Sequence, residues 1–166
     1  HALLEAVAWV DVAPGSPGEA EAVAIVRRAV PRRPEAWARE QAATLPEILG
    51  RPPIRALLEL GDRDPDRVEA DVERPWVRAD ADGVQQGLID RVEIERDAAG
   101  RATGARIVDW KTDPLGPEAD AEEVRRHLER YGPQIATYRR VVAEATGLDP
   151  ARVEAVLAFV TTGLVL

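Results

Sequence analysis

The sequence contains no cysteine, which excludes disulfides, thiolate zinc sites and cysteine-ligated iron–sulfur clusters together. Any metal on this chain must sit on carboxylates, histidine or backbone oxygen, a donor set suited to hard cations such as Mg2+ or Mn2+. Long apolar runs are missing too: none approaches the roughly 18 residues of a membrane-spanning helix. The chain opens on the amphipathic stretch HALLEAVAWV rather than on a charged-then-apolar signal segment. Secretion and membrane insertion are therefore not expected, and a cytoplasmic location is. Positive charge is in deficit, with 22 Lys and Arg against 30 Asp and Glu and a formal net charge of −8. A domain that binds nucleic acid unaided usually carries a basic field. If DNA is a ligand, something else is expected to deliver it.

What is present is ordinary globular composition, 45% apolar and 31% charged over 166 residues, enough for one domain with its own core. Because the first residue is His1 and the last, Leu166, closes an apolar run, a segment of a longer polypeptide is expected. Helical spacing fills residues 2 to 10, 19 to 30, 35 to 48 and 53 to 60, broken by prolines from Pro14 to Pro53. From about Arg67 the pattern becomes alternation. One strand is predicted through VEADVERPWV, a turn at Ala81-Asp82-Gly83, and a second strand through VQQGLIDRVEIE. DAAGRATG supplies another turn and ARIVDWK a third strand. Helical periodicity returns over 119 to 130 and again from Pro133 to Ala145, where proline suits a first turn and Gly147 a stop. VEAVLAFV reads as a buried strand, with TTG turning into LVL.

Within these strands some residue types are out of place. Alternation puts Leu88, Asp90, Val92 and Ile94 on one face, so that a carboxylate stands in an apolar stripe where it needs a partner. The same rule places Ile107, Asp109 and Lys111 together on the next strand. Two acids and an ammonium suit phosphodiester hydrolysis: the acids can hold a divalent ion that polarises a phosphoryl oxygen and lowers the pKa of water, and the ammonium can orient that water or offset developing charge. The chain uses arginine 21 times and lysine once, at Lys111. A surface cation had no need to be lysine here, whereas a compact ammonium differs functionally from the guanidinium fork.

At these residues the sequence resembles the RecB- and AddA-type branch of the PD-(D/E)XK nucleases. Gly87-Leu88-Ile89-Asp90 resembles a GxID motif, Asp109-Trp110-Lys111-Thr112 a DxK motif, and Gln134-Ile135-Ala136-Thr137-Tyr138 a QxxxY motif. His1-Ala2-Leu3-Leu4-Glu5 is similar to the histidine-bearing helix that precedes them. Each match alone is weak, and four in series are fairly specific. The resemblance implies a restriction-endonuclease-like α/β core, a central mixed β-sheet flanked by helices, with a helical N-terminal region. It implies one nuclease domain over 1–166, with a helical insertion over about 14–66 and the catalytic core over 67–166. It further implies that Asp90, Asp109 and Lys111 are catalytic, and that His1, Asp90, Asp109 and the backbone carbonyl of Trp110 bind Mg2+ or Mn2+. Gln134 and Tyr138, one helical turn apart, would support the site or contact DNA. The implied protein is a metal-dependent deoxyribonuclease, with exonuclease action expected, working in DNA end processing and recombinational double-strand break repair. Its implied partners are DNA, a helicase domain in the same polypeptide and a second helicase–nuclease subunit. Absence of cysteine points to the branch without an iron–sulfur cluster.

The same residues admit structural readings. Asp90 could pair with Arg91 or Arg106, and Asp109 with Lys111 could be a solvated edge-strand pair. His1 could be a mere chain-end histidine. Gln134 and Tyr138 share a helical face with Tyr131, Val141 and Ala145 and could be its semi-polar margin. Glu73 is either a supporting acid or an exposed one, and His127, amid Arg125, Arg126 and Glu129, reads as surface. A different class of function, a catalytically silent nuclease fold used for DNA binding or subunit docking, is the alternative.

Overall fold

The computed structural model describes residues 2–80 and 83–166. The chain divides into two compact units, His1–Asp62 and Arg63–Leu166.

The first unit is helical: α1 (Ala2–Glu5), α2 (Glu19–Ala29), α3 (Glu35–Ala43), α4 (Leu45–Leu49) and α5 (Pro52–Leu57). The helix expected over 35–48 is broken at Thr44, because Pro46 has no N–H to continue the ladder. α1 is shorter than the expected 2–10, ending before the segment that runs to Pro14. The Asp11 carboxylate receives the amides of Leu60 and Gly61 at 2.8 and 2.9 Å, which ties the two ends of this unit together. Those two N–H donors also hold the Asp11 pKa below the usual carboxylate value.

The second unit carries a five-stranded mixed sheet in sequence order, β1 (Val68–Asp80), β2 (Gly83–Arg96), β3 (Ala102–Lys111), β4 (Val153–Phe159) and β5 (Leu164–Val165). All neighbouring pairs are antiparallel except β3–β4. A parallel pair needs a crossover, and α6 (Ala121–Thr146) supplies it. The α/β class and the mixed sheet with its flanking helix are thus as expected. Of the turn predicted at Ala81-Asp82-Gly83, Ala81 and Asp82 lie outside the described residues; the ladder reaches Asp80↔Gly83. The TTG turn is present, with Gly163 at φ 82° and its N–H bonded to the Phe159 carbonyl at 2.7 Å, and the chain returns as β5.

α6 corrects one expectation. The spacing predicts two helices with a new start at Pro133, yet one helix of 26 residues runs through that proline. The cost is one ladder bond. It is offset by a long buried face, on which Tyr138, Val142 and Ala143 pack with Val92, Ile94, Ala105, Ile107 and Val153. Further toward its start, Tyr131 and Ile135 cover Leu115, Leu157 and Phe159. The ends are well specified: Asp120 caps the Glu123 N–H at 2.8 Å, and Gly147 takes the left-handed conformation at φ 72°. His127 is also not the surface residue expected. It is half-buried, with Nδ1 2.9 Å from the Glu123 carbonyl and its ring edge-on to Phe159 at 5.7 Å.

The alternation predicted for β2 fails at one place. Val92 and Ile94 lie in the core under α6, but Leu88 is 50% exposed and Ile89 is fully buried in that same core. The cause is an irregularity opposite, on β1. Val72 faces Arg91 and Arg74 faces Ile89, so Glu73 and Asp90 drop out of the ladder between them, and Glu73 has φ 47°. A non-glycine residue in that region costs about 1–3 kcal/mol. The ribbon is re-aimed there: on the far side of Asp90 from Val92 and Ile94, an odd-numbered residue, Ile89, takes over the core-facing side. Glu73 itself is exposed.

Gly87 belongs to this re-aimed stretch. A Cβ on it would lie 2.9 Å from Nε1 and 3.2 Å from Cε2 of Trp76, the residue across the ladder. Trp76 in turn stands edge-on to Tyr138 with ring centroids 6.3 Å apart. Gly87→Ala is therefore expected to destabilise the unit by about 1–3 kcal/mol, read as a lower urea midpoint. An unchanged midpoint would mean that the indole moves aside freely.

Candidate active site

Asp90 stands where the β2–β3 ladder ends. Its last pair is Arg91↔Val108, and one step outward the positions facing each other are Asp90 and Asp109. Here a side chain takes over from backbone: Asp90 Oδ2 accepts the Trp110 N–H at 2.8 Å. β3 nevertheless continues as a central strand, since its far side stays paired with β4 as far as Lys111↔Phe159. Asp109 is only 2% exposed. A solvated edge-strand pair is thus ruled out for Asp109 and Lys111. On the same strand Glu93, itself buried, accepts Arg91 Nε at 2.8 Å and both Arg63 and Arg106 at 2.7 Å.

Lys111 Nζ lies 2.5 Å from Asp109 Oδ2. The approach is too oblique for a hydrogen bond, so Oδ2 is ion-paired yet buried without a well-directed donor. The ammonium also donates to Gln134 Oε1 at 3.1 Å and lies 4.1 Å above the centre of the Tyr131 ring. From Gln134 the network continues through α6. Gln134 Nε2 donates to the Tyr138 hydroxyl at 2.7 Å, and that hydroxyl donates to the Leu88 carbonyl at 2.9 Å. Gln134 and Tyr138 are therefore more than a polar margin: they join Lys111 on β3 to the backbone of β2 beside Asp90. Of their expected companions on that face, Ala145 is exposed.

The electrostatics follow from burial. The Asp109 carboxyl is pushed above its usual pKa first by desolvation and further by the Asp90 charge, against the pull of Lys111. Asp90 is also raised by burial, which outweighs the Trp110 N–H and Lys111. Tyr138 is raised by burial as well. Among the described residues, the two buried acids share the Lys111 ammonium.

A divalent cation fits this acidic pair. The donors are hard carboxylate oxygens, and one of them, Asp109 Oδ2, is a buried acceptor in want of a well-directed partner. Among the described residues no group of three or more His, Cys, Asp or Glu side chains converges, so the acidic pair is what the described chain offers. His1 lies outside the described residues. The Trp110 indole is buried, 1% exposed, and anchors the strand between the two charged side chains.

Sequence reasoning passed over Tyr131 and Asp113 as site residues. Tyr131 precedes Gln134 by three residues and Tyr138 by seven, a helical spacing that already placed it on this face. Its hydroxyl donates to Asp113 Oδ2 at 2.6 Å, and Asp113 comes two residues after Lys111. Among the described residues no helix is long and apolar enough to cross a membrane.

No curated protein matches this sequence. A sequence model of the PD-(D/E)XK nuclease superfamily matches residues 1–164. With nearly the whole length matched, on a mixed α/β sheet that brings an Asp pair and a lysine together, the chain belongs to the PD-(D/E)XK nuclease superfamily.

Proposed function

We propose that this chain is a Mg2+- or Mn2+-dependent DNA nuclease module of the RecB/AddA type, hydrolysing phosphodiester bonds during DNA end processing and recombinational double-strand break repair. The observation that carries this reading is the meeting of Asp90, Asp109 and Lys111 at one end of the β2–β3 ladder, with Gln134 of the QxxxY helix bonded to the lysine. In this reading residues 1–166 are one nuclease domain within a cytoplasmic helicase–nuclease, with about 14–66 as a helical insertion and 67–166 as the core. The net charge of −8 supports delivery of DNA by a motor domain and a second subunit rather than by attraction to this surface.

Asp90 and Asp109 would hold the ion, with the Trp110 carbonyl and His1 as the further ligands that the family resemblance implies. The ion would supply Lewis acidity toward the phosphoryl oxygen and lower the pKa of water. Lys111 would hold the attacking water and offset charge developing on the phosphoryl group, a role supported by its being the cation that Asp109 and Gln134 share. Gln134 orients that ammonium, and Tyr138 fixes Gln134 to β2. Asp90 also accepts the Trp110 N–H, so the acid that would hold the ion also fixes the peptide linking Asp109 to Trp110.

The test is incubation with linear duplex DNA and Mn2+, which is expected to yield shortened strands and nucleotides, consistent with exonucleolytic action. No cleavage, combined with no heat on calorimetric titration of Mn2+, would overturn the reading and favour a silent fold that binds DNA or docks a subunit.

A further inference from the structure

We propose that Tyr131 is a positioning residue for Lys111: its ring, pinned by Asp113, holds the ammonium in place when Asp109 turns to a metal ion. The inference rests on the role given to Lys111 above and adds a group to it that the motif residues do not include.

Among the described residues, three groups surround Lys111 Nζ. Asp109 Oδ2 is at 2.5 Å, Gln134 Oε1 at 3.1 Å, and the centre of the Tyr131 ring at 4.1 Å. The first is shared once a metal ion binds, because part of its lone-pair density then goes to the ion. If Asp109 Oδ2 binds a divalent ion, the shortest contact of the ammonium weakens, and its flexible four-carbon stem needs other support to keep its place. Gln134 provides one acceptor for three N–H donors. The ring face provides the remaining attraction, and it does so without competing for the ion, because a quadrupole is neutral overall.

The ring is well fixed for this purpose. Tyr131 sits on a helix rather than on a loop, packs on the cluster of Leu115, Leu157 and Phe159, and donates its hydroxyl to Asp113 Oδ2 at 2.6 Å. Arg130 holds the other oxygen of Asp113 at 3.4 Å. The hydrogen bond from Tyr131 is the leading cause that keeps the Asp113 carboxyl below its usual pKa. Asp113 follows the end of β3 by two residues, counted from Lys111. Strand and helix are thereby clamped at the point where the ammonium must stay. A ring needed only to fill the core would not have to present its face to the sole lysine of the chain.

That lysine makes a direct test possible, because 13C,15N-lysine labels one side chain in the whole protein. In the labelled 166-residue chain the Lys111 Hε resonances are expected upfield of an exposed lysine, with nuclear Overhauser contacts to the Tyr131 ring, with and without diamagnetic Mg2+. Tyr131→Leu should return them to the exposed position, and Tyr131→Phe, which keeps the ring, should largely preserve the shift. In cleavage assays Tyr131→Leu is expected to lower kcat roughly twofold to thirtyfold with little change in KM, the span of one cation–π contact. Tyr131→Phe should recover most of that loss.

Lysine resonances at the exposed position in the wild type, or no ring contacts once Mg2+ is added, would overturn the proposal. So would unchanged kcat in a folded Tyr131→Leu. If that variant does not fold, the wild-type ring contacts decide the question. A wild type that shows those contacts but cleaves no DNA would sink the nuclease reading and leave the placement of Lys111 by Tyr131 standing.

Discussion

Lys111→Ala is expected to lower DNA cleavage by roughly 10²–10³-fold or more, the cost of removing one preorganised donor from a charge-developing site, while the chain stays folded. The side chain is 12% exposed at the end of β3, and its partners are Asp109, Gln134 and the Tyr131 ring rather than the core. Its loss leaves Asp109 buried without its counter-charge. That carboxyl is already held above its usual pKa by burial, and it can take up a proton instead of unfolding the site. Circular dichroism should therefore show native strand and helix content. Lys111→Arg tests shape apart from charge: a planar fork cannot replace a compact ammonium between Asp109 and Gln134, so little activity should return. Full cleavage by Lys111→Ala would remove the central assignment.

Asp109→Ala is expected to abolish both cleavage and calorimetrically detectable Mn2+ binding. A pH experiment strengthens the case, and its sign follows from the two acids. Asp90 and Asp109 have folded-state pKa values above the unfolded value of 3.8, with burial the first cause for each. The fold thus prefers them protonated, and stability is lost as pH rises from the unfolded pKa through the folded ones. A bound divalent ion removes that loss, because it stabilises the charged form. Mn2+ should raise Tm more at pH 7 than near pH 4, by an amount equivalent to about 2.7 kcal/mol at a hundredfold excess over Kd. Asp109→Ala should erase the dependence on metal. An equal Mn2+ effect on wild type and variant would place the ion elsewhere.

Much of the candidate site was legible because strands impose a period of two and because odd residue types stand out against it. Alternation places Asp109 and Lys111 on one face of a strand, and there they are. The lone lysine among 21 arginines is a signal of composition alone. Asp90 also stands out, but for a partly mistaken reason. The apolar stripe from Leu88 to Ile94 does not exist as such, since the ladder skips Asp90 and Glu73 and the sides exchange there. No local pattern announces that change, because its origin is the conformation of Glu73 on another strand.

Proline misleads in two directions. Pro46 breaks a predicted helix, whereas Pro133 fails to start a new one. The local penalty is the same at both places. What differs is burial: the face of α6 on either side of Pro133 is committed to the sheet, from Tyr131 and Ile135 to Tyr138 and Val142.

The amino-acid sequence by itself determined the α/β class, the absence of any thiolate ligand and the strand face that Asp109 and Lys111 share, because these depend on residue type and on spacing within one element. Only the tertiary structure decided who meets whom. Trp110 finds Asp90 across 20 residues and Lys111 finds Gln134 across 23, while Glu93 gathers arginines from three separate segments. Such pairings are selected by burial, which leaves a charge no solvent to turn to and so makes its nearest complementary neighbour, however distant along the chain, the group that defines it.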